Sequence, residues 1–114
     1  AWFNRGLAKN RLRNYAAAIT DFTQSLKLNP NNAVTLYHRA TTRSWLKRFK
    51  SALADFNQLI EIRPENIEFY KERAEIKESL KDYSGAIDDY SRMIELEPGN
   101  AKTFLKRGRI KHWN

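Results

Sequence analysis

The 114-residue sequence contains no cysteine, which removes disulfide frameworks, cysteine-ligated zinc or iron–sulfur centres and thiol nucleophiles from consideration. Histidine occurs only as His38 and His112, 74 residues apart and outside any His-Glu-x-x-His pattern, so neither a metal pair nor a histidine catalyst is expected. The four glycines form no phosphate-cradling loop, and no Ser-His-Asp set has credible spacing. Long apolar runs are also missing: nothing approaches the roughly 20 residues of a membrane-spanning helix, and the N-terminus has no signal-peptide pattern. The reading is of a non-enzymatic chain with no cofactor, no metal and no membrane insertion, for which a cytoplasmic location is favoured. It opens on Ala1 and closes on Asn114 inside a helical pattern, so it is expected to be a fragment of something longer.

What is present is a hydrophobic fraction of 41% and an aromatic fraction of 12%, enough to build a packed core rather than a disordered chain. Lysine and arginine number 21 against 13 acids, a net charge of +8 and a pI near 9.9, which attracts anionic partners.

A period of 34 residues organises the whole chain. The segments Leu28 to Asn32, Ile62 to Asn66 and Leu96 to Asn100 place Pro30, Pro64 and Pro98 at that spacing. The same spacing relates Ala18, Ala52 and Ala86; Phe22, Phe56 and Tyr90; Tyr15, Phe49 and Tyr83; Leu12, Leu46 and Leu80; and Trp2, Leu36, Tyr70 and Phe104. Periods of this length are the mark of stacked supersecondary units. The units run over residues 1–32, 33–66, 67–100 and 101–114, the last being the first helix of a fourth repeat or a cap.

Within a unit the apolar spacing is helical, with a break near Lys47 and Arg48 in the second, so each unit reads as two antiparallel helices. The small column Gly6, Ala40, Ala74 and Gly108 faces the small column Ala18, Ala52 and Ala86, allowing close helix approach. The prolines fall just past the second helix.

These columns resemble the tetratricopeptide repeat family over the entire chain: Trp2, Gly6, Ala18, Phe22 and Pro30 match its pattern in the first unit, and later units repeat most of them. The resemblance implies an all-α, right-handed superhelical solenoid of antiparallel helix hairpins, with first helices lining a concave groove. Trp2, in a core column, is expected to pack inside.

Two columns depart from the family pattern. Arg5, Arg39, Arg73 and Arg107 stand where leucine is usual, and Lys9, Arg43, Lys77 and Lys111 where tyrosine is usual. An acidic column, Asp21, Asp55 and Asp89, recurs on the second helices. Arg5, Arg39, Arg73 and Arg107 are read as pairing with these aspartates in a structural ladder, within a unit or from one unit to the next.

By resemblance, the groove is lined by Phe3, Asn4 and Leu7; Val34, Tyr37, His38, Thr41 and Trp45; Lys71, Glu72 and Glu75; and Lys102, Leu105, Lys106 and Arg109. Trp45 is either an anchor there or a packing residue at its turn. The four units carry +4, +3, −4 and +5, so a ligand with an apolar stretch and acidic segments would suit the groove. One subclass of the family clamps the terminal carboxylate of chaperone tails with Lys and Asn side chains; Phe3, Leu7 and His38 stand at those positions, which argues against such a tail. The expected function is a protein-interaction scaffold holding a protein or peptide ligand. The alternative is a basic nucleic-acid or polyanion-binding module, disfavoured by the acidic third unit. Oligomeric state is not legible.

Overall fold

Helix boundaries follow from the recurring proline and asparagine residues. Second helices stop at Leu28, Ile62 and Leu96, two residues before each proline, which cannot extend them. Two residues later Asn32 and Asn66 cap the next helix, their Oδ1 atoms accepting from the backbone N–H of Thr35 (3.3 Å) and Glu68 (3.0 Å). In the computed structural model, which describes residues 2–99 together with 107 and 108, the result is α1 Trp2–Arg11, α2 Tyr15–Leu28, α3 Ala33–Trp45, α4 Phe49–Ile62, α5 Ile67–Ser79 and α6 Tyr83–Leu96. No strand occurs among the described residues, and none of these helices is long and apolar enough to cross a membrane.

The chain forms two compact units, Ala1–Ile62 and Arg63–Asn114. In the first, α1 packs on α2, α2 on α3 and α3 on α4; in the second, α5 packs on α6. The turns inside the hairpins are built without glycine. Arg13, Lys47 and Lys81 take left-handed φ values of 62°, 60° and 63°. Each turn closes in the same way: Arg13 N–H donates to Asn10 O and Asn14 N–H to Lys9 O, both at 2.9 Å, and the pattern repeats after α3 and α5. The family of conformers is the one glycine favours, because a Cβ there meets the following carbonyl.

The first unit is centred on Phe22 and Phe56, both without solvent exposure, with Ala18, Ala40 and Ala52 equally buried around them. Gly6 is required by that packing. A Cβ at position 6 would come within 2.7 Å of the Phe22 ring, so only a hydrogen lets α1 approach α2 this closely.

One sequence expectation fails. Trp2 is 38% exposed, whereas Leu36, its counterpart on α3, is 1% exposed. Leu36 is covered by the packing of α2 on α3. The Trp2 ring is instead roofed by the Arg5 guanidinium, 4.5 Å from its centroid.

Gly6→Ala tests the close approach. Alanine is the better helix former by about 1 kcal/mol, but overpacking against Phe22 costs about 1–3 kcal/mol, so the variant should be less stable in urea denaturation. An unchanged midpoint would mean that the ring gives way.

Candidate functional site

Three buried aspartates orient the first helices. Asp21, Asp55 and Asp89 are 1%, 3% and 2% exposed, and each is gripped by a guanidinium sixteen residues earlier in the chain. Arg5 donates from Nε (3.0 Å) and Nη2 (2.9 Å) to the two oxygens of Asp21. Arg39 does the same to Asp55 at 3.0 and 2.7 Å, and Arg73 to Asp89 from Nε at 2.9 Å and from Nη2. The pairing is therefore within a hairpin. Reach to the preceding hairpin is made by a second bond, from Arg39 Nη1 to Thr23 Oγ1 at 3.2 Å, and Arg107 repeats it with Ser91 Oγ at 3.4 Å.

The lysine or arginine one turn further on also bonds the aspartate: Lys9 to Asp21 at 3.0 Å, Arg43 to Asp55 at 2.9 Å and Lys77 to Asp89 at 3.2 Å. Sequence reasoning left this column unassigned, because nothing in the spacing says that side chains one turn apart converge on one carboxylate. Each cluster thus holds two cations and one anion. Hydrogen bonds from Arg5, ahead of that from Lys9, outweigh the desolvation of the Asp21 carboxyl and hold it at about 2, below the ordinary 3.8.

With these side chains turned toward the hairpin partner, the first helices of the first unit leave a different face open. Leu7 and Asn10 of α1 and His38 and Trp45 of α3 line an open cleft of about 480 Å³, together with Arg11, Arg13 and Tyr15 at the first turn. The Trp45 ring lies 5.4 Å from that of Tyr15 and stays 59% exposed, so it packs at the turn and still presents a face outward. His38 sits among Phe3 (5.5 Å), Phe22 (6.0 Å) and Tyr37 (6.2 Å), and burial pushes its imidazole below its usual value. Asn10 Nδ2 donates to the buried Thr42 hydroxyl at 3.1 Å, and that hydroxyl bonds His38 O at 2.7 Å, which ties α1 to α3 beneath the cleft.

Of the groove residues expected from the sequence, Leu7, His38 and Trp45 come together here. Phe3 and Tyr37 do not line the cleft but touch both the core and a cleft residue: the Phe3 ring lies 5.9 Å from that of Phe22 and 5.5 Å from that of His38, and the Tyr37 ring 6.2 Å from those of Phe56 and His38. Thr41 is half-buried, its hydroxyl on His38 O at 3.1 Å. Asn4 and Val34 are exposed and away from the cleft lining. In the second unit Lys71 pairs with Glu68 at 3.8 Å, Glu75 is exposed, and Glu72 is half-buried. Burial, then the neighbouring Glu75 and Glu68, pushes the Glu72 carboxyl up. Lys102, Leu105, Lys106 and Arg109 lie outside the described residues. Sequence reasoning missed Asn10, Arg11, Arg13 and Tyr15. The available signal was the absence of any acid before Asp21.

The surface charge is lopsided. The first unit carries ten lysines and arginines against Asp21, Asp55 and Glu61, a net of +7, while the second has eleven against ten acids, a net of +1. Because Asp21 and Asp55 are buried, no acidic side chain is exposed among residues 2–60.

Residues 1–32 match the family model described as tetratricopeptide repeat, and several similar solved structures are tetratricopeptide domains. Residues 1–32 are thus a tetratricopeptide repeat by sequence. No curated protein matches the sequence. Among solved structures, the first tetratricopeptide domain of Spaghetti (RPAP3), bound to an HSP90 peptide, is 26% identical with a TM-score of 0.83 over 97% of this chain and 88% of that one. The tetratricopeptide domain of Arabidopsis OM64 is 26% identical with a TM-score of 0.81 over 97% and 92%. MamA, at 22% identity and a TM-score of 0.86 over 96% of this chain and 60% of that one, shares the fold. The described residues are all helical and share the fold of tetratricopeptide domains.

Two outcomes follow from the aspartate clusters. Asp55→Ala strands Arg39 and Arg43, whose side chains are only 15% and 20% exposed, and should cost about 1–3 kcal/mol. Asp21→Ala should cost less, because Arg5 is 55% exposed and rehydrates. Urea titrations that reverse this order would refute the role of burial. Since the folded-state value of Asp21 lies below the unfolded one, its contribution is complete above pH 3.8 and is lost as pH falls toward about 2. The urea midpoint of the parent should fall more steeply through that window than that of Asp21→Asn.

Proposed function

We propose that the chain is a non-enzymatic protein-interaction scaffold, built from repeats 1–32, 33–66 and 67–100 with a further first helix over 101–114, which holds a peptide or protein segment along its first helices. The observation that carries this reading is the cleft between α1 and α3. Its lining combines Leu7 with Tyr15, an exposed Trp45 and two arginines, and Trp, Tyr and Arg are the residue types that dominate binding energy at protein interfaces. Its walls are held by the Asn10–Thr42 bond and by α2 beneath, so little ordering cost falls on the protein. The bound HSP90 peptide in the Spaghetti (RPAP3) domain, which is 26% identical over 97% of this chain, supports the same class of ligand. Phe3 and Tyr37 brace the cleft from the core side, while Lys71, Lys102, Lys106 and Arg109 would orient acidic groups of a ligand extending past it. The acid-free surface of residues 2–60 keeps a second reading open, a short polyanion such as single-stranded nucleic acid.

A pull-down from lysate at physiological salt, with and without nuclease, separates the two. Discrete proteins should persist after nuclease and should be lost with Trp45→Ala, a change at an exposed ring that should weaken binding by more than about 1 kcal/mol without altering helix content by circular dichroism. Recovery that depends on nucleic acid and disappears with added salt would give the second reading first place.

A further inference from the structure

We infer that the hairpin-turn edge of the first unit docks on an anionic membrane surface, its free cations meeting the lipid headgroups and Leu12 and Trp45 seated among them. This edge is distinct from the peptide site of the scaffold reading and adds a second partner to it.

The ten lysines and arginines of the first unit divide into two sets. Arg5, Lys9, Arg39 and Arg43 are committed to Asp21 and Asp55. Of the rest, only Lys27 lies away from the hairpin turns. Arg11, Arg13, Lys47, Arg48 and Lys50 are grouped at the α1–α2 and α3–α4 turns. The two turns are neighbours, since the rings of Tyr15 and Trp45 that flank them lie 5.4 Å apart. All five side chains are exposed and form no ion pair among the described residues, and no acid is exposed among residues 2–60 to offset them.

The fold does not account for this grouping. Arg48 stands where α4 begins, its carbonyl accepting from Ala52 N–H at 3.0 Å, as the carbonyl of Asp82 accepts from Ala86 N–H at the start of α6. Asp82 also caps its helix, its Oδ1 accepting from Gly85 N–H at 3.0 Å, whereas a guanidinium has no acceptor and caps nothing. Lys47, Arg48 and Lys50 crowd the N-terminus of α4, where positive charge opposes the helix dipole, and the first turn of α4 contains no acid. A side-chain cap and a favourable dipole interaction are both given up to hold cations at this edge. Departures from local preference without a structural return mark functional surfaces.

Two apolar side chains decide between anionic partners. Leu12 is 79% exposed between Arg11 and Arg13, and Trp45 is 59% exposed just before the second turn. Each lysine or arginine near an anionic leaflet strengthens partitioning about fivefold, and leucine and tryptophan are side chains that settle at the headgroup boundary. A nucleic-acid strand would use the charge and leave Leu12 idle, because leucine offers a base neither a π-face nor a hydrogen-bonding atom. The contact is peripheral, since none of the described helices is long and apolar enough to cross a bilayer.

Cosedimentation of the intact chain with vesicles at physiological salt tests this, using phosphatidylcholine alone or mixed with phosphatidylserine. Binding is expected to the mixed vesicles and not to phosphatidylcholine alone. Arg11→Gln combined with Arg48→Gln and Lys50→Gln should weaken it about tenfold or more. Leu12→Gln and Trp45→Ala, which leave the charge intact, should each weaken it about threefold or more. Leu12→Gln should leave the affinity for oligouridylate unchanged. No binding to the mixed vesicles, equal binding to both kinds, full binding by the triple variant or by Leu12→Gln, or tighter binding of oligouridylate than of vesicles would overturn the inference. Circular dichroism of each variant separates lost contact from lost fold; all the substituted side chains are exposed and none holds a left-handed φ.

Discussion

A carboxylate buried between two helices must be matched by cations or protonated, and that requirement sets the orientation of every first helix whose hairpin is described. Asp21, Asp55 and Asp89 each draw in two basic side chains one turn apart, which fixes the rotation of the first helix about its own axis. Once rotation is fixed, the remaining faces are determined. Gly6 and Ala40 meet the aromatic core, and Leu7, Asn10, His38 and Trp45 are left on the open side. Arg39 extends the constraint by bonding Asp55 on α4 and Thr23 on α2 together, so a single guanidinium sets α3 against both neighbours.

The same arrangement shapes the electrostatics. By drawing its two central acids inward, the first unit turns a modest excess of basic residues into a surface on which residues 2–60 expose cations alone. The second unit keeps most of its acids outside, and there the interactions are local: Lys71 with Glu68, Arg92 with Glu95. Such exposed pairs are worth little in stability. What differs between the units is the potential each offers a partner.

The hairpins and their period were legible because five columns recur at constant spacing, and the aspartate column was legible because it recurs three times. Less could be read where geometry rather than spacing decides. Lys9, Arg43 and Lys77 share a carboxylate with the arginine a turn away, which depends on side-chain reach. Phe3 and Tyr37 bridge the core and the cleft, their rings near Phe22 and Phe56 on one side and near His38 on the other, which spacing alone does not show. Trp2 occupies a core column, yet it is 38% exposed and its ring is roofed by Arg5. The cleft's Arg11 and Arg13 belong to no repeated column, so periodicity could not mark them; their isolation from acids could.

The left-handed residues at the hairpin turns carry a further consequence. Arg13, Lys47 and Lys81 hold a conformation that costs a side-chain-bearing residue about 1–2 kcal/mol, and the cost is met by the pair of backbone bonds closing each turn. Small rearrangements at these turns release strain, whereas rearrangement at the Pro-x-Asn ends gives up helix caps. Compliance is therefore concentrated at one end of each hairpin. In the first unit that end bears Arg11, Arg13, Tyr15 and Trp45, so most of the cleft lining is seated on the more adaptable backbone of its hairpins.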